Sequence, residues 1–392
     1  MKRIAAKYLY PLVTEEPLLN GFVEVEDDGT VIRTGVSDHP DAEPVFLDGA
    51  VCPGFVNAHC HVELSYMKGL FRKGTGMAGF IDQINALRDT KSLEEKVKDL
   101  SDAMDSMWNR GVVAMADISN CADSFPVKQA HPMYTRTFLE VFGSESEDCD
   151  TVMDGVRGLQ AVAESFGLDA APTPHACYTM SPQLVTAASL SGLESGFLSY
   201  HSEESPEEEE MIRYGRGPMW DNRKAAGMST PPVTGTSSLL YFIGRLLAGK
   251  QAPLREHILL VHECCLDEDG VAAVRAVMEH PFFAVCPMSN LFIHNLLPPI
   301  GLMRRSGIPI CVGTDSLSSN DDLDMVGELR CLQQGFPEVP LGELLTWACR
   351  NGAAFLNLGQ LGTLEPGKRP GLVFINAVEG GKLSSDSHSV RI

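Results

Sequence analysis

No run of about 18 apolar residues occurs anywhere in this 392-residue chain, so nothing in it reads as a membrane-spanning helix. The opening Met1-Lys2-Arg3-Ile4-Ala5-Ala6-Lys7 is followed by too few apolar residues before Glu15 and Glu16 for a secretory h-region, and a cytoplasmic protein is expected. Basic residues are scarce. Lys and Arg number 31 against 52 Asp and Glu, a formal charge of −21, which leaves no counterion-releasing surface for a nucleic-acid backbone. The 11 cysteines lack the CxxC pairs of a zinc finger, and Cys264-Cys265 is too short for an ordinary bridge, so reduced and mostly buried thiols are expected. Internal repeats are absent. The single biased tract, Glu207 to Glu210, follows Ser205-Pro206, a cap and first-turn proline that mark a helix start rather than an acidic binding patch.

What remains is ordinary globular material, 44% hydrophobic and 21% charged, long enough for a large barrel and a smaller domain. Near the N-terminus Gly21-Phe22-Val23-Glu24-Val25-Glu26 alternates, Asp27-Asp28-Gly29-Thr30 turns, and Val31-Ile32 resumes, which is hairpin chemistry. Beyond Val51 short β-rich runs alternate with helical patterns. Eight runs, at 50–56, 112–118, 134–142, 170–178, 197–201, 258–262, 282–286 and 308–313, predict the strands of an α/β fold, the (β/α)8 TIM barrel. Helices are expected over 93–109, 152–166, 182–191, 237–247, 267–279 and 341–356. The strand-like run 372–375 would return to the N-terminal strands, making a small β-sandwich domain from 1–50 and 360–392 beside a barrel over 51–359.

The chemistry gathers at the ends of the predicted strands. In extended chain i and i+2 share a face, so His59 and His61 of His59-Cys60-His61 can meet one ion at the barrel mouth. His175, His201, His262 and Asp315 fall at the C-terminal ends of later strands, the face on which barrel enzymes build their sites, and Glu204 follows His201 by three residues. His175 and His262, each taken alone, read equally as hydrogen-bonded core or surface histidines; the set does not. His131, His257, His280, His294 and His388 lie away from strand ends or in the tail and read as structural.

The segments PGFVNAHCHVELS, TPHACYTMS, HSEE, VHECC, CPMSN and GTDSLSSN, with the tail LGTLEPGKRPGLVFIN, resemble the amidohydrolase superfamily from about residue 50 to 376. The likeness is to its branch of chlorohydrolases and aminohydrolases, which includes S-adenosylhomocysteine, guanine and aminodeoxyfutalosine deaminases. The resemblance implies one divalent metal, zinc before ferrous iron, on His59, His61, His201 and Asp315. It assigns Glu204, His262 and Asp315 to proton handling around an attacking water, and His175 and Arg136 to the substrate, Arg136 at the distal polar end. Arg136 reads equally as an ion-pair residue. Members with two metals bridge them by a carbamylated lysine on strand four; here 169–180 contains none, which implies a single ion.

The implied activity is hydrolytic deamination of a small amino-substituted heterocycle, adenosine-like or aminodeoxyfutalosine-like. Cleavage of a cyclic amide, amidine or carbon–chlorine bond is the alternative, and a catalytically silent metal-binding barrel a third reading. A homodimer is the base-rate expectation. Two departures from the family pattern stand out: Arg369-Pro370-Gly371 before the last strand, which bears on how that strand docks, and Cys177 where relatives often carry proline. Ser289-Asn290 reads as a turn, and the loops at 67–85 and 211–236 carry no readable substrate code.

Overall fold

The computed structural model describes residues 1–88 and 90–392. The chain begins with strands β1 (Lys2–Leu9), β2 (Leu18–Val25), β3 (Val31–Val36) and β4 (Phe46–Pro53). The 27–30 turn forms as its residues require: the Asp28 carboxylate accepts the Thr30 N–H at 2.9 Å, and Gly29 sits at φ 87°. Eight parallel strands follow: β5 (Phe55–Cys60), β6 (Val112–Ser119), β7 (Tyr134–Val141), β8 (Asp169–Pro174), β9 (Phe197–Ser202), β10 (Leu254–His262), β11 (Met278–Val285) and β12 (Ile310–Val312). The chain closes with β13 (Leu372–Asn376), the short pair β14 (Val378–Glu379) and β15 (Lys382–Leu383), and β16 (Ser389–Arg391).

The barrel strands pair in two parallel blocks, β5-β6-β7-β8 and β9-β10-β11-β12. Polar contacts close the seams between them. At one seam the His201 N–H donates to the His175 carbonyl at 3.0 Å, and the Thr173 hydroxyl accepts the Ser199 N–H at 3.1 Å. At the other, the His59 carbonyl accepts the N–H groups of both Thr314 and Asp315 at 3.0 Å. Both seams thus run through residues at the barrel mouth. The interior is filled by small and branched side chains such as Ala58, Ala116, Ile118, Val261 and Ala284, with Phe138 and Phe355 stacked below. The β6 run is buried from end to end, as a strand covered on both faces must be.

Helix starts follow their capping residues. Ser92 and Glu95 form a capping box on Leu93–Asn109, and the Ser181 hydroxyl accepts the Leu184 N–H above Pro182. The Ser205-Pro206 start also forms: Ser205 accepts the Glu208 N–H at 3.1 Å at the head of Pro206–Tyr214. Helices from the β5, β9 and β11 loops, Gly76–Leu87, Pro206–Tyr214, Pro218–Ala225 and Pro287–His294, pack together around the first of them. Glu207 joins two of these by accepting the Ala78 N–H at 2.8 Å.

Both chain ends build one six-stranded sheet in the order β16-β13-β4-β1-β2-β3. The first predicted barrel run, 50–56, divides here. Residues 50–53 belong to β4, which pairs with β1 and β13, and the barrel strand starts at Phe55. Gly54 marks the break, because a side chain there would meet Val113 and the Pro370 carbonyl. The 370 segment docks accordingly: Gly54 donates its N–H to the Pro370 carbonyl at 3.1 Å, and β13 runs antiparallel to β4. No helix among the described residues is long and apolar enough to cross a membrane, and the cysteines are free.

Candidate metal centre and active site

His59 lies next to the end of the buried strand β5, and His61 follows Cys60 at φ −125° and ψ 77°. Their Nε2 atoms stand 3.2 Å apart, and His61 Nε2 is 3.3 Å from Nε2 of His201 at the end of β9. Asp315 Oδ1 lies 3.6 Å from His61 Nε2 and 3.9 Å from His59 Nε2. Ligand atoms about 2.0–2.1 Å from one tetrahedral ion stand roughly 3.3–3.4 Å apart, so the His59–His61 and His61–His201 spacings match donors to one divalent metal, with Asp315 somewhat farther out. The electrostatics agree. Burial, followed by the neighbouring imidazoles, pushes His59 and His201 well below the usual histidine range, which leaves lone pairs free for a cation at neutral pH. Burial alone would raise Asp315, but the facing His61 and His262 rings and the Ser289 hydrogen bond bring it below the ordinary carboxylate value.

The surrounding groups fix these side chains. Asp315 sits at φ 56°, a left-handed conformation held by its N–H bond to His59. Its Oδ2 accepts the hydroxyls of Ser289 at 2.5 Å and Ser319 at 3.0 Å, which turns Oδ1 toward the histidines. His262, at the end of β10 and at φ 78°, has Nδ1 at 3.1 Å from the Asn290 side-chain amide. With that amide nitrogen as donor, the imidazole proton resides on Nε2, 3.5 Å from Glu204 Oε1. Burial holds His262 down at about 4, a neutral ring.

Glu204 is buried, and its Oε2 accepts the Tyr178 hydroxyl at 2.8 Å. Its N–H donates to Glu208 Oε2 at 2.7 Å, so the helix that starts at Pro206 braces the loop carrying it. Burial first, then the charges of Asp315 and Glu208, push the Glu204 carboxyl well above its usual range. A buried carboxyl, a neutral imidazole and a cluster of candidate metal ligands therefore converge on one space.

The sequence pattern of the amidohydrolase family matches residues 50–387. The chain belongs to the amidohydrolase family. It is similar to the 5-methylthioadenosine/S-adenosylhomocysteine deaminase of Syntrophomonas wolfei, at 27% identity over 92% of this chain and 82% of that one. The adenosine deaminase of Helicobacter pylori is 24% identical, covering 85% and 81%. Among solved structures, Helicobacter pylori aminofutalosine deaminase in complex with methylthio-coformycin superposes with a TM-score of 0.81 at 22% identity, covering 100% of both chains. Atrazine chlorohydrolase from Arthrobacter aurescens, complexed with zinc, gives 0.72 at 17% identity, covering 95% of this chain and 86% of that one.

In this amidohydrolase the fold gathers His59, His61, His201, His262, Glu204 and Asp315 at one mouth, and His175 joins them. The His175 ring centroid is 4.6 Å from that of His201, its Nδ1 is 2.7 Å from the Thr179 hydroxyl, and burial lowers it to about 3. Arg136 is not there. It stands near the start of β7, ion-paired with Asp169 at 2.6 Å, donating to Ser195 at 2.7 Å and lying 4.1 Å from the Phe197 ring centroid. All three partners mark the N-terminal ends of β8 and β9, and Phe138 lies between Arg136 and the mouth on the same strand face. The alternative expected of Arg136, an ion pair, forms with Asp169, and the fold does not bring Arg136 to the mouth with the other candidate site residues.

Glu140 occupies the place at the mouth that Arg136 lacks. It shares the Arg136 face four residues on, roughly 13 Å along the strand. Its Oε1 is buried without a hydrogen-bond partner, 3.6 Å from His175 Nε2 and 3.8 Å from His201 Nδ1. The signal that singled out the histidines, a polar residue at the C-terminal end of a predicted strand, also marks Glu140. Ser289-Asn290, read as a turn, instead lies in Pro287–His294 and holds Asp315 and His262. Cys177 donates its N–H to the Tyr200 hydroxyl at 2.8 Å, a bond proline could not make.

Proposed function

We propose that this amidohydrolase hydrolytically deaminates an amino-substituted nitrogen heterocycle of the adenosine type, releasing ammonia, with zinc on His59, His61, His201 and Asp315. The observation that carries the reading is the buried Glu204 carboxyl, 3.5 Å from the buried His262 beside that donor set. A passive metal site has no need of a buried acid at its rim. A divalent ion bound there supplies a water acidified to a pKa of about 7.

The chain's own groups do the rest. Glu204, steadied at Oε2 by Tyr178, delivers its proton from Oε1 to a ring nitrogen, making the amine-bearing carbon electrophilic. Asp315 takes up the proton of the attacking water, its Oδ2 already anchored by two hydroxyls. His262 donates from Nε2 to the oxygen entering the ring carbon. His175, neutral and fixed by Thr179, faces the amine; the proton held by Asp315 recharges Glu204, which passes it to the amine as ammonia departs, and Asp315 receives the hydroxyl proton as the carbonyl forms. The names of the relatives, deaminases of adenosine derivatives, support this substrate class. A cytoplasmic location fits the free thiols, and a homodimer is the commonest assembly.

The test is a coupled ammonia-release assay of the zinc-loaded protein against aminated purines, nucleosides, pterins and triazines. Ammonia from adenosine-type substrates supports the reading. Silence across the panel, with chloride or ring-opened product from the matching chlorinated or cyclic amide compounds, overturns it in favour of another bond.

A further inference from the structure

A second, fully buried charged cluster lies behind the metal centre, on the outer side of the barrel wall. β6 turns Ala114, Ala116 and Ile118 into the barrel and Met115 and Asp117 outward. Asp117 is ion-paired with Lys128 of helix Phe125–Ala130 at 2.6 Å, and both side chains are 0% exposed. The Lys128 ammonium also donates to the hydroxyls of Ser119 at 2.7 Å and Thr137 at 3.2 Å, and Ser119 donates to Asp117 Oδ2 at 3.1 Å. Removing two charges from water is costly, and such a pair is weak as a source of stability. Its geometry indicates another use.

The second oxygen of Asp117 faces neither Lys128 nor solvent. Oδ1 accepts the N–H of Val62 at 2.9 Å. Val62 directly follows His61 and opens the short helix Val62–Met67, so this carboxylate caps the turn on which His61 is carried. The next residue is held as well: Glu63 accepts the Ser124 hydroxyl at 2.9 Å and the Asn120 N–H at 2.8 Å, both from the segment after β6. On the other side, the His59 carbonyl takes the N–H groups of Thr314 and Asp315 at 3.0 Å. The His59-Cys60-His61 segment is therefore clamped from both sides, by Asp315 and by Asp117.

We propose that Asp117, held in place by the buried Lys128 ammonium, is a positioning residue for the metal centre: its bond to the Val62 N–H sets the direction of the His61 imidazole. This rests on the reading that His59, His61, His201 and Asp315 hold one ion.

Cobalt(II) is the probe, because its visible absorption reports ligand geometry apart from turnover. Two double variants, D117N/K128M and D117V/K128M, both remove the charges; the first keeps an oxygen acceptor for Val62 and the second does not. The expected result is near-native cobalt affinity and spectrum for D117N/K128M, and about 10- to 100-fold weaker binding with a shifted spectrum for D117V/K128M. Equal affinity and identical spectra in the two overturn the proposal and leave the pair a purely structural element. If D117V/K128M does not fold, K128M alone decides. It leaves the acceptor in place but unpinned, so a shifted cobalt spectrum is expected and an unchanged one overturns the inference. Failure of the metal-site reading itself is distinct, since the unaltered protein would then bind no cobalt.

Discussion

His262 Nε2 and Glu204 Oε1 stand 3.5 Å apart at the ends of β10 and β9, each anchored on its far side, His262 to Asn290 at 3.1 Å and Glu204 to Tyr178 at 2.8 Å. Neither anchor is charged, so both side chains are directed into the same space without being neutralised there. That arrangement suits groups that exchange protons with a third molecule.

Replacing Glu204 by Gln should lower turnover by about 10²- to 10⁴-fold while metal content stays native. Tyr178→Phe removes only the anchor, worth about 1 kcal/mol, and should cost roughly fivefold in kcat. Steady-state kinetics with metal analysis check both. A Glu204→Gln variant with native turnover excludes the proton-transfer role.

Metal removal should destabilise the fold. At about 100 times its dissociation constant, zinc should add about 2.7 kcal/mol, seen as a higher melting temperature, and His59→Ala should abolish the increment. Melting curves unchanged by chelator would contradict the metal centre.

Gly313 faces the backbone of His59: a Cβ there would stand 2.8 Å from the His59 nitrogen, oxygen and Cβ. Gly313→Ala must push β12 and β5 apart at the seam that carries both His59 and Asp315. Metal affinity should fall by about tenfold or more, measured by competition with a chromogenic chelator.

Arg136→Met should leave KM and kcat within about twofold, because its partners lie at the opposite end of the barrel. It should lower unfolding free energy by about 1.5–3 kcal/mol through the lost bonds to Asp169 and Ser195. A large rise in KM without loss of stability would return Arg136 to the substrate site.

The metal-free protein should lose stability between pH 6.5 and 8. Burial, with the charge of Glu209 next, raises Glu208 to about 7 and Glu203 to about 8, so the folded state keeps protons that an unfolded carboxyl releases near 4.5. Folding then binds protons, and stability falls as pH rises through those values, by at most about 1.4 kcal/mol per pH unit for each group. The depressed histidines, His59 and His201 with His175 at about 3 and His262 and His294 at about 4, act in the opposite direction, an effect that fades as pH rises through the unfolded value of 6.5. Urea unfolding at the two pH values checks the sign, and Glu208→Gln should flatten part of the slope. A stability that rises over this window contradicts the assignment.

Much of the site was legible because a barrel converts position along a strand into position in space. His59, His61, His201, His262 and Asp315 each end a β-rich run, and the eight runs share one mouth. Tyr178 and Asn290 were not legible: one follows a strand in a loop, the other lies on a helix, and their hydrogen bonds to Glu204 and His262 depend on how those segments fold back. Glu140 was legible by the same rule and passed over beside its neighbour Arg136, four residues earlier on the same strand face.

From the sequence alone followed the eight βα units, the β strands of both chain ends, and the polar residues at the strand ends, because apolar periodicity and turn chemistry are local properties of the chain. Tertiary structure decided where β4 ends and β5 begins, which end of β7 reaches the mouth, and that Asp117 meets Val62. Each of those depends on a partner strand or helix far along the chain, and hydrogen bonds formed on packing, rather than local preference, settle the choice.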